Sequence, residues 1–103
     1  MAKVHDSSIP SDYRAAKLRM KRIWNEGVVK WGHHAQQHMR QEGIDDVDVH
    51  QVIKFGKISG HEDSEYEGYD YRYTLRGKSV DGFRLRVVID LNDQMMIVTC
   101  FVE

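Results

Sequence analysis

The chain has 103 residues, of which 41% are hydrophobic and 30% are charged, and its formal net charge is −1. This length suits one globular domain, and a domain of this size folds without needing a disulfide or a metal. The near-zero net charge excludes a strongly basic nucleic-acid-binding module and a strongly acidic mimic of nucleic acid.

Cysteine usage and hydropathy together predict a cytoplasmic protein. The single cysteine, Cys100, cannot form an intramolecular disulfide, which is typical of a reducing compartment. No stretch approaches the ~20 apolar residues of a membrane helix, and the first residues lack the apolar run of a secretion signal. We therefore expect a cytoplasmic protein that has no membrane partner.

The first thirty residues predict a flexible lead followed by a helix. The lead covers residues 1–10 and ends at Pro10, the only proline, and a single domain is expected over residues 11–103. Ser11 is the predicted N-cap of the helix and Gly27 its predicted end. Residues 1–30 carry seven Lys and Arg against three acids, so the helix has either a basic binding surface or an ordinary solvated face. Its apolar stripe comprises Tyr13, Ala16, Met20, Ile23 and Trp24.

Two shorter helices are predicted next. One runs from about His33 to Glu42 and ends at Gly43, which suits a left-handed C-cap. The other begins after Asp45, an N-cap residue, and stops at Gly56. The residues expected on the core side of these helices are Trp31, Ala35, Met39, Val49, Val52 and Ile53.

The hydrophobic period then changes from that of a helix to that of a strand. Residues 57–60 predict a short strand and residues 61–67 a polar loop, whereas residues 69–76 and 83–91 alternate strictly around an Asp81-Gly82 turn. Residues 95–102 are apolar on both faces, which favours a central strand. The predicted fold is therefore α+β, with two or three N-terminal helices packed on a four-stranded, mainly antiparallel sheet.

The histidines are the first candidates for chemistry, because imidazole titrates near neutral pH. His34 and His38 are four residues apart on the second helix, a spacing that can place two metal ligands side by side. Ala35 stands where the zinc-protease motif has its glutamate, and no third ligand follows at a suitable spacing. The two interpretations are a metal-ligand pair and a spare histidine pair on a partly exposed helix. We favour the second and expect no metal and no cofactor.

A second constellation joins His34 with Arg76, Arg84, Arg86 and the tyrosines of the strands. Cleavage of RNA without a metal needs a base for the 2′-hydroxyl, an acid for the leaving oxygen and cations for the phosphate. Histidine and arginine supply these groups, so His34, Arg84 and Arg86 are the predicted catalytic residues. The alternative is that the arginines are the solvated side of an amphipathic strand, paired with Asp70 or Asp90.

One segment of the chain resembles a known family. Residues 34–44 read His-Ala-Gln-Gln-His-Met-Arg-Gln-Glu-Gly-Ile, which is similar to the opening signature of the bacterial domain family of unknown function numbered 4258. The resemblance extends over residues 31–102, through Phe55-Gly56-Lys57-Ile58 and the segments 81–88 and 96–99. His38 and Glu42 stand where the pattern usually has arginines, and an acid at position 42 weakens a phosphate-binding role for this helix.

The family is distantly similar to the RelE- and BrnT-type toxins of toxin–antitoxin systems. That resemblance implies a RelE-like arrangement, cleavage of messenger RNA on the ribosome, and a partner antitoxin. His34 matches the family histidine and Arg86 a strand arginine.

Two functional hypotheses follow from the sequence and the resemblance. One is a metal-independent endoribonuclease toxin whose basic first helix binds RNA. The other is a catalytically inactive relative or a non-enzymatic interaction module. Such a module would use the acidic loop and the sheet edge to bind a protein partner or a second copy of itself.

Overall fold

A computed structural model describes residues 10–103 as three helices and a five-stranded mixed sheet. The predicted flexible lead falls, apart from Pro10, outside the described residues. The helices are α1 (Tyr13–Glu26), α2 (His33–Glu42) and α3 (Asp46–Phe55), and the strands are β1 (Val29–Trp31), β2 (Lys57–Asp63), β3 (Tyr71–Lys78), β4 (Arg84–Leu91) and β5 (Met95–Val102).

The strand order is β1-β5-β4-β3-β2, in which β1 pairs with β5 in parallel and the other pairs are antiparallel. The α+β class is confirmed, but the prediction of four strands was wrong. Strand β1 has three residues, too few to show an alternating pattern, and it forms because the edge of β5 offers backbone groups to it. It also lies between α1 and α2, so the helices are not one uninterrupted N-terminal block.

Aspartate residues cap the N-termini of α1 and α3, and a glycine ends α2. The Asp12 side chain accepts a hydrogen bond of 3.0 Å from the Ala15 N–H, so Asp12 caps α1 in place of the predicted Ser11. At α3, the Asp48 carboxylate accepts from the N–H of Asp45 at 3.0 Å, as in a capping box. Gly43 ends α2 at φ 69°, a left-handed conformation that a Cβ disfavours.

Strand β2 is longer than the sequence predicts and β3 starts later. Strand β2 continues through His61 to Asp63, into the predicted loop, and β3 begins at Tyr71 rather than at position 69. Strand β2 is an edge strand whose residues are mostly exposed, so polar side chains are tolerated along it and the alternation is lost.

The hydrophobic core cluster consists of residues of the sheet and of α1 and α3, and α2 adds the fully buried Ala35. In β4 the predicted alternation is confirmed, because Leu85, Val87 and Ile89 are all fully buried. In β5 a register shift at Val88/Ile89 of the β4 partner lets Ile97 and Cys100 both point into the core. Burial also raises the pKa of the Cys100 thiol to about 11, as expected for a structural cysteine.

Candidate functional site

The face of the sheet opposite α1 and α3 carries the predicted site residues; we call it the outer face. Side chains alternate across a strand, so the neighbours of the buried residues of β3 and β4 point away from the core. Helix α2 packs along β5, where Gly32 N–H donates to the Ile97 carbonyl at 2.8 Å. The outer face comprises Arg72, Thr74, Arg76, Arg84, Arg86, Val88, Asp90, Met96, Thr99 and Phe101.

His34 lies in the first turn of α2, exposed at the rim of the outer face. Its side chain lines a cavity of about 340 Å³ together with Tyr66, Met96 and Val98. The neighbouring His33 ring lies 6.0 Å from it, centroid to centroid, and lines the same cavity. An accessible imidazole in a cavity is what a proton-transfer group needs.

One turn further along α2, His38 is held against the sheet. Its Nδ1 is 3.2 Å from the Thr99 hydroxyl, and its ring meets Phe101 edge-on with the centroids 6.2 Å apart. The pairing of His38 with His34 was visible in the sequence. Its contact with β5 was not, because that contact depends on where α2 packs.

Arg86 is fixed at the far side of Phe101. Its guanidinium lies 5.2 Å from the Phe101 ring centroid, and its Nη2 is 3.0 Å from a Glu103 carboxylate oxygen. Arg76 approaches the same oxygen at 3.6 Å. The pairing of Arg86 with Asp70 or Asp90, weighed from the sequence, is replaced by pairing with Glu103.

Arg84 is exposed near the end of the outer face, opposite Lys78 on the neighbouring strand. The contacts therefore bring Arg76 and Arg86 together at Glu103, with His38 linked to Arg86 through Phe101. His34 lies on the same side of the sheet but at the level of Met96, which pairs with Asp90, four residues along β4 from Arg86 and about 13 Å away at the rise of a strand. Among the described contacts none joins His34 to Arg84 or Arg86, so the structure does not bring the three predicted catalytic residues together.

Asp90 belongs to a buried polar cluster under the β2–β3 loop. Its carboxylate is fully buried, pairs with Arg72 at 2.8 Å and accepts from the Ser64 hydroxyl at 2.8 Å. The hydrogen bond with Asp90 raises the pKa of Arg72, and the Tyr66 ring lies 5.3 Å from that guanidinium. This carboxylate is occupied by its partners, which suits a structural role rather than proton transfer.

The basic side of α1 is partly used in packing. Lys17 donates to the Gly56 carbonyl at the end of α3, and burial followed by the charge of Lys21 lowers the pKa of Lys17. Arg19 donates to the Asn92 carbonyl at 3.3 Å. Arg14 and Arg22 stay exposed, so only part of the charge predicted for RNA binding is available there.

Residues 10–103 contain neither a cluster of metal ligands nor a helix that could span a membrane. In that part of the chain no three His, Cys, Asp or Glu side chains are grouped as metal ligands require. None of the described helices is long and apolar enough to cross a membrane.

The family model for the domain of unknown function DUF4258 matches residues 31–102. The chain belongs to this family. The match begins at the last residue of β1, so α1 lies outside the segment that defines the family. No curated protein and no solved structure matches the chain.

Proposed function

We propose that this member of DUF4258 is a toxin-like, metal-independent endoribonuclease whose site is the outer face. The observation that carries the proposal is that the imidazoles of α2 and the arginines of β3 and β4 share one solvent-facing side of the sheet. A sheet face with both groups has the acid–base and cationic components that RNA cleavage requires.

The proposed reaction is an attack of the RNA 2′-hydroxyl on its own phosphate. His34 takes the 2′-hydroxyl proton, or donates a proton to the leaving 5′-oxygen, and water carries out the other transfer. Arg84 and Arg86 stabilise the negative charge that develops on the phosphate. The products are a 2′,3′-cyclic phosphate and a free 5′-hydroxyl, so no external reactant is consumed.

Two acids limit this chemistry. The Glu103 carboxylate holds Arg86 at 3.0 Å and Arg76 at 3.6 Å, so a bound phosphate must displace it. The second acid, Glu42, accepts a hydrogen bond of 2.6 Å from the Val102 N–H. Its carboxylate therefore binds the backbone at the end of β5 and not the guanidinium groups of the arginines. The proposal therefore depends on Glu103 yielding to the phosphate of the substrate.

The partners follow from the resemblance to RelE- and BrnT-type toxins. Ribosome-bound messenger RNA is the proposed substrate, and an antitoxin protein that covers the outer face is the proposed inhibitor. A homodimer is a further proposed assembly, because the edge strand β2 leaves one row of backbone groups without a strand partner among residues 10–103. The proposed location is the cytoplasm.

The test is cleavage of naked and ribosome-bound RNA by the purified protein in the presence of a chelator. We expect His34→Ala to lower the cleavage rate by about 100- to 10,000-fold, the usual loss for a proton-transfer group. Arg86→Ala should also lower the rate, whereas the matched control Arg40→Ala, at an exposed position of α2 beside Gln36 and Met39, should not. A folded wild-type sample that cleaves neither RNA, or a rate unchanged in His34→Ala, contradicts the proposal.

A non-enzymatic interaction module is the second candidate. The observation that favours it is the ion pairing of Glu103 with both Arg76 and Arg86, which neutralises part of the charge of these two arginines. If the module hypothesis is right, binding of a protein partner is unchanged in His34→Ala and RNA is not cleaved.

A further inference from the structure

A row of cations crosses the sheet at right angles to the strands. The strand registers place Lys57 of β2 opposite Arg76 of β3, and Arg76 opposite Arg86 of β4. Arg86 in turn lies opposite Phe101 of β5. Directly opposed residues of antiparallel strands point to the same face, and neighbouring strands are about 4.8 Å apart, so the row from Lys57 to Phe101 spans about 14 Å. We call Lys57, Arg76 and Arg86 the cationic row.

An exposed aromatic ring lies beside the β2 end of this row. Phe55, the last residue of α3, is 71% exposed, and the ammonium of Lys54 lies 5.2 Å from its ring centroid. Single exposed apolar side chains are common on protein surfaces, so Phe55 is a candidate contact residue because it lies beside the cationic row and not because it is exposed.

Two surface cavities meet at Phe55. The larger, of about 720 Å³, is lined by the end of α3 and by residues of β2 and β3, and Lys57, Arg76 and Lys78 are its cations. The smaller, of about 290 Å³, lies between α1 and α3 and is lined by Lys21, His50, Lys54, Phe55 and Asn25.

Neither cavity has an Asp or Glu among the described residues that line it. Burial and then the charge of Lys54 lower the pKa of His50, and the charge of Asp46 opposes them. We call the surface formed by these two cavities the corner. Glu103 lies outside both cavities but pairs with Arg76 and Arg86, so a ligand on the cationic row must displace it. With Lys21, Lys54, Lys57 and Lys78 around it, the corner is complementary to a polyanion although the chain has a net charge of −1.

We propose that single-stranded nucleic acid binds at this corner, with a base stacked against Phe55 and the backbone following the cationic row towards Phe101 and His38. Aromatic rings beside a cationic track are how proteins hold single strands without reading their sequence. A duplex hides its bases from a stacking ring, so a single strand fits better. An acidic peptide would satisfy the cations but needs no stacking ring at 71% exposure.

This inference rests on the proposed function for the choice of RNA as the ligand, and it adds Phe55, Lys57 and Arg76 to Arg86, the one predicted catalytic residue in the cationic row. It does not require cleavage. Binding is therefore measured with a probe that the 2′-hydroxyl mechanism cannot cut.

The experiment is fluorescence anisotropy with a labelled 2′-O-methyl RNA of about 12 nucleotides. Loss of one base–aromatic stack should raise the Kd of Phe55→Ala by about 5- to 100-fold relative to wild type. The matched control is Phe83→Ala, which removes a similar ring, 62% exposed, at the β3–β4 turn. The control should keep the wild-type Kd.

A second pair of variants tests the cationic row. Lys57→Gln should weaken binding and reduce the slope of log K against log salt by about 0.7, the loss of one phosphate contact on a single strand. Lys30→Gln removes an exposed lysine from β1, at the opposite edge of the sheet, and should leave the slope unchanged.

The outcomes separate this inference from the proposed function. Binding that depends on Phe55 and Lys57, in a protein that cleaves no RNA, supports the inference and refutes the nuclease. Equal Kd values for Phe55→Ala and Phe83→Ala overturn the inference and leave the nuclease proposal standing. The inference is also overturned if a polyglutamate peptide competes with the RNA probe at equal charge concentration, because the corner is then an acidic-peptide site.

Discussion

At the scale of single residues, the polar side chains of the outer face have two different uses. Asp90 is fully buried and is held by Arg72 and Ser64, whereas Arg84 and His34 remain exposed. A buried carboxylate needs its hydrogen-bonding partners because desolvation of an unpaired charge is costly. Polarity on this face therefore does not by itself indicate function.

The Arg72–Asp90 pair leads to a stability prediction. Arg72→Ala leaves the Asp90 carboxylate buried without its cation, so we expect the free energy of unfolding to fall by about 3 kcal/mol. Arg84→Ala, on an exposed arginine one strand away, should change it by less than about 0.5 kcal/mol. Urea unfolding followed by circular dichroism measures both, and equal losses in the two variants would show that the buried pair has no special role.

At the scale of the elements, α3 reaches the sheet through two glycines. A Cβ built on Gly56 would lie 2.6 Å from the Val52 carbonyl oxygen and 2.7 Å from that of Arg76. A Cβ on Gly77 would lie 3.0 Å from the Cα of Gly56. This close approach brings the end of α3, with Phe55, next to Arg76 of β3. The corner proposed to bind nucleic acid lies at this contact.

The contact predicts a difference between two glycine substitutions. Gly56→Ala forces α3 away from β3, and we expect a loss of about 1–3 kcal/mol of unfolding free energy. Gly60→Ala, in the edge strand, meets no atom within 4 Å and should be neutral or slightly stabilising. Thermal and urea unfolding of both variants test this, and a destabilisation by Gly60→Ala as large as that by Gly56→Ala would contradict it.

At the scale of the whole molecule, the family segment and the folded unit differ. The family model covers residues 31–102, yet α1 contributes Ala16, Met20 and Ile23 to the core. The core cluster includes residues of all three helices and of the sheet, so α1 packs into the same core as the family segment. The helix with the basic residues is therefore also a helix whose apolar side is buried in the core.

The contribution of α1 to the core can be measured with two substitutions on that helix. Met20 is fully buried, so Met20→Ala should lower the unfolding free energy by about 2–5 kcal/mol through lost burial and a cavity. Leu18→Ala, at a position 59% exposed, should cost far less. If the two variants unfold at the same urea concentration, α1 is not part of the cooperative unit.

Hydrophobic periodicity and helix-ending glycines predicted much of the fold from the sequence. The bounds of α2 and the end of α3 follow from apolar spacing and from glycines, and β4 follows from alternation at Leu85, Val87 and Ile89. The position of β5 inside the sheet follows from its apolar residues on both faces. These features depend on residues close together in the chain, so the sequence pattern alone is enough to predict them.

Other features were decided only by the tertiary structure. Strand β1 exists because β5 passes beside it, and the shared partner of Arg76 and Arg86 is Glu103 because β3, β4 and the end of β5 adopt one register. The order of Lys57, Arg76, Arg86 and Phe101 across the sheet likewise appears only once the strands are paired. Such pairings join residues far apart in the chain, and a shift of one residue in register would send each side chain to the other face of the sheet.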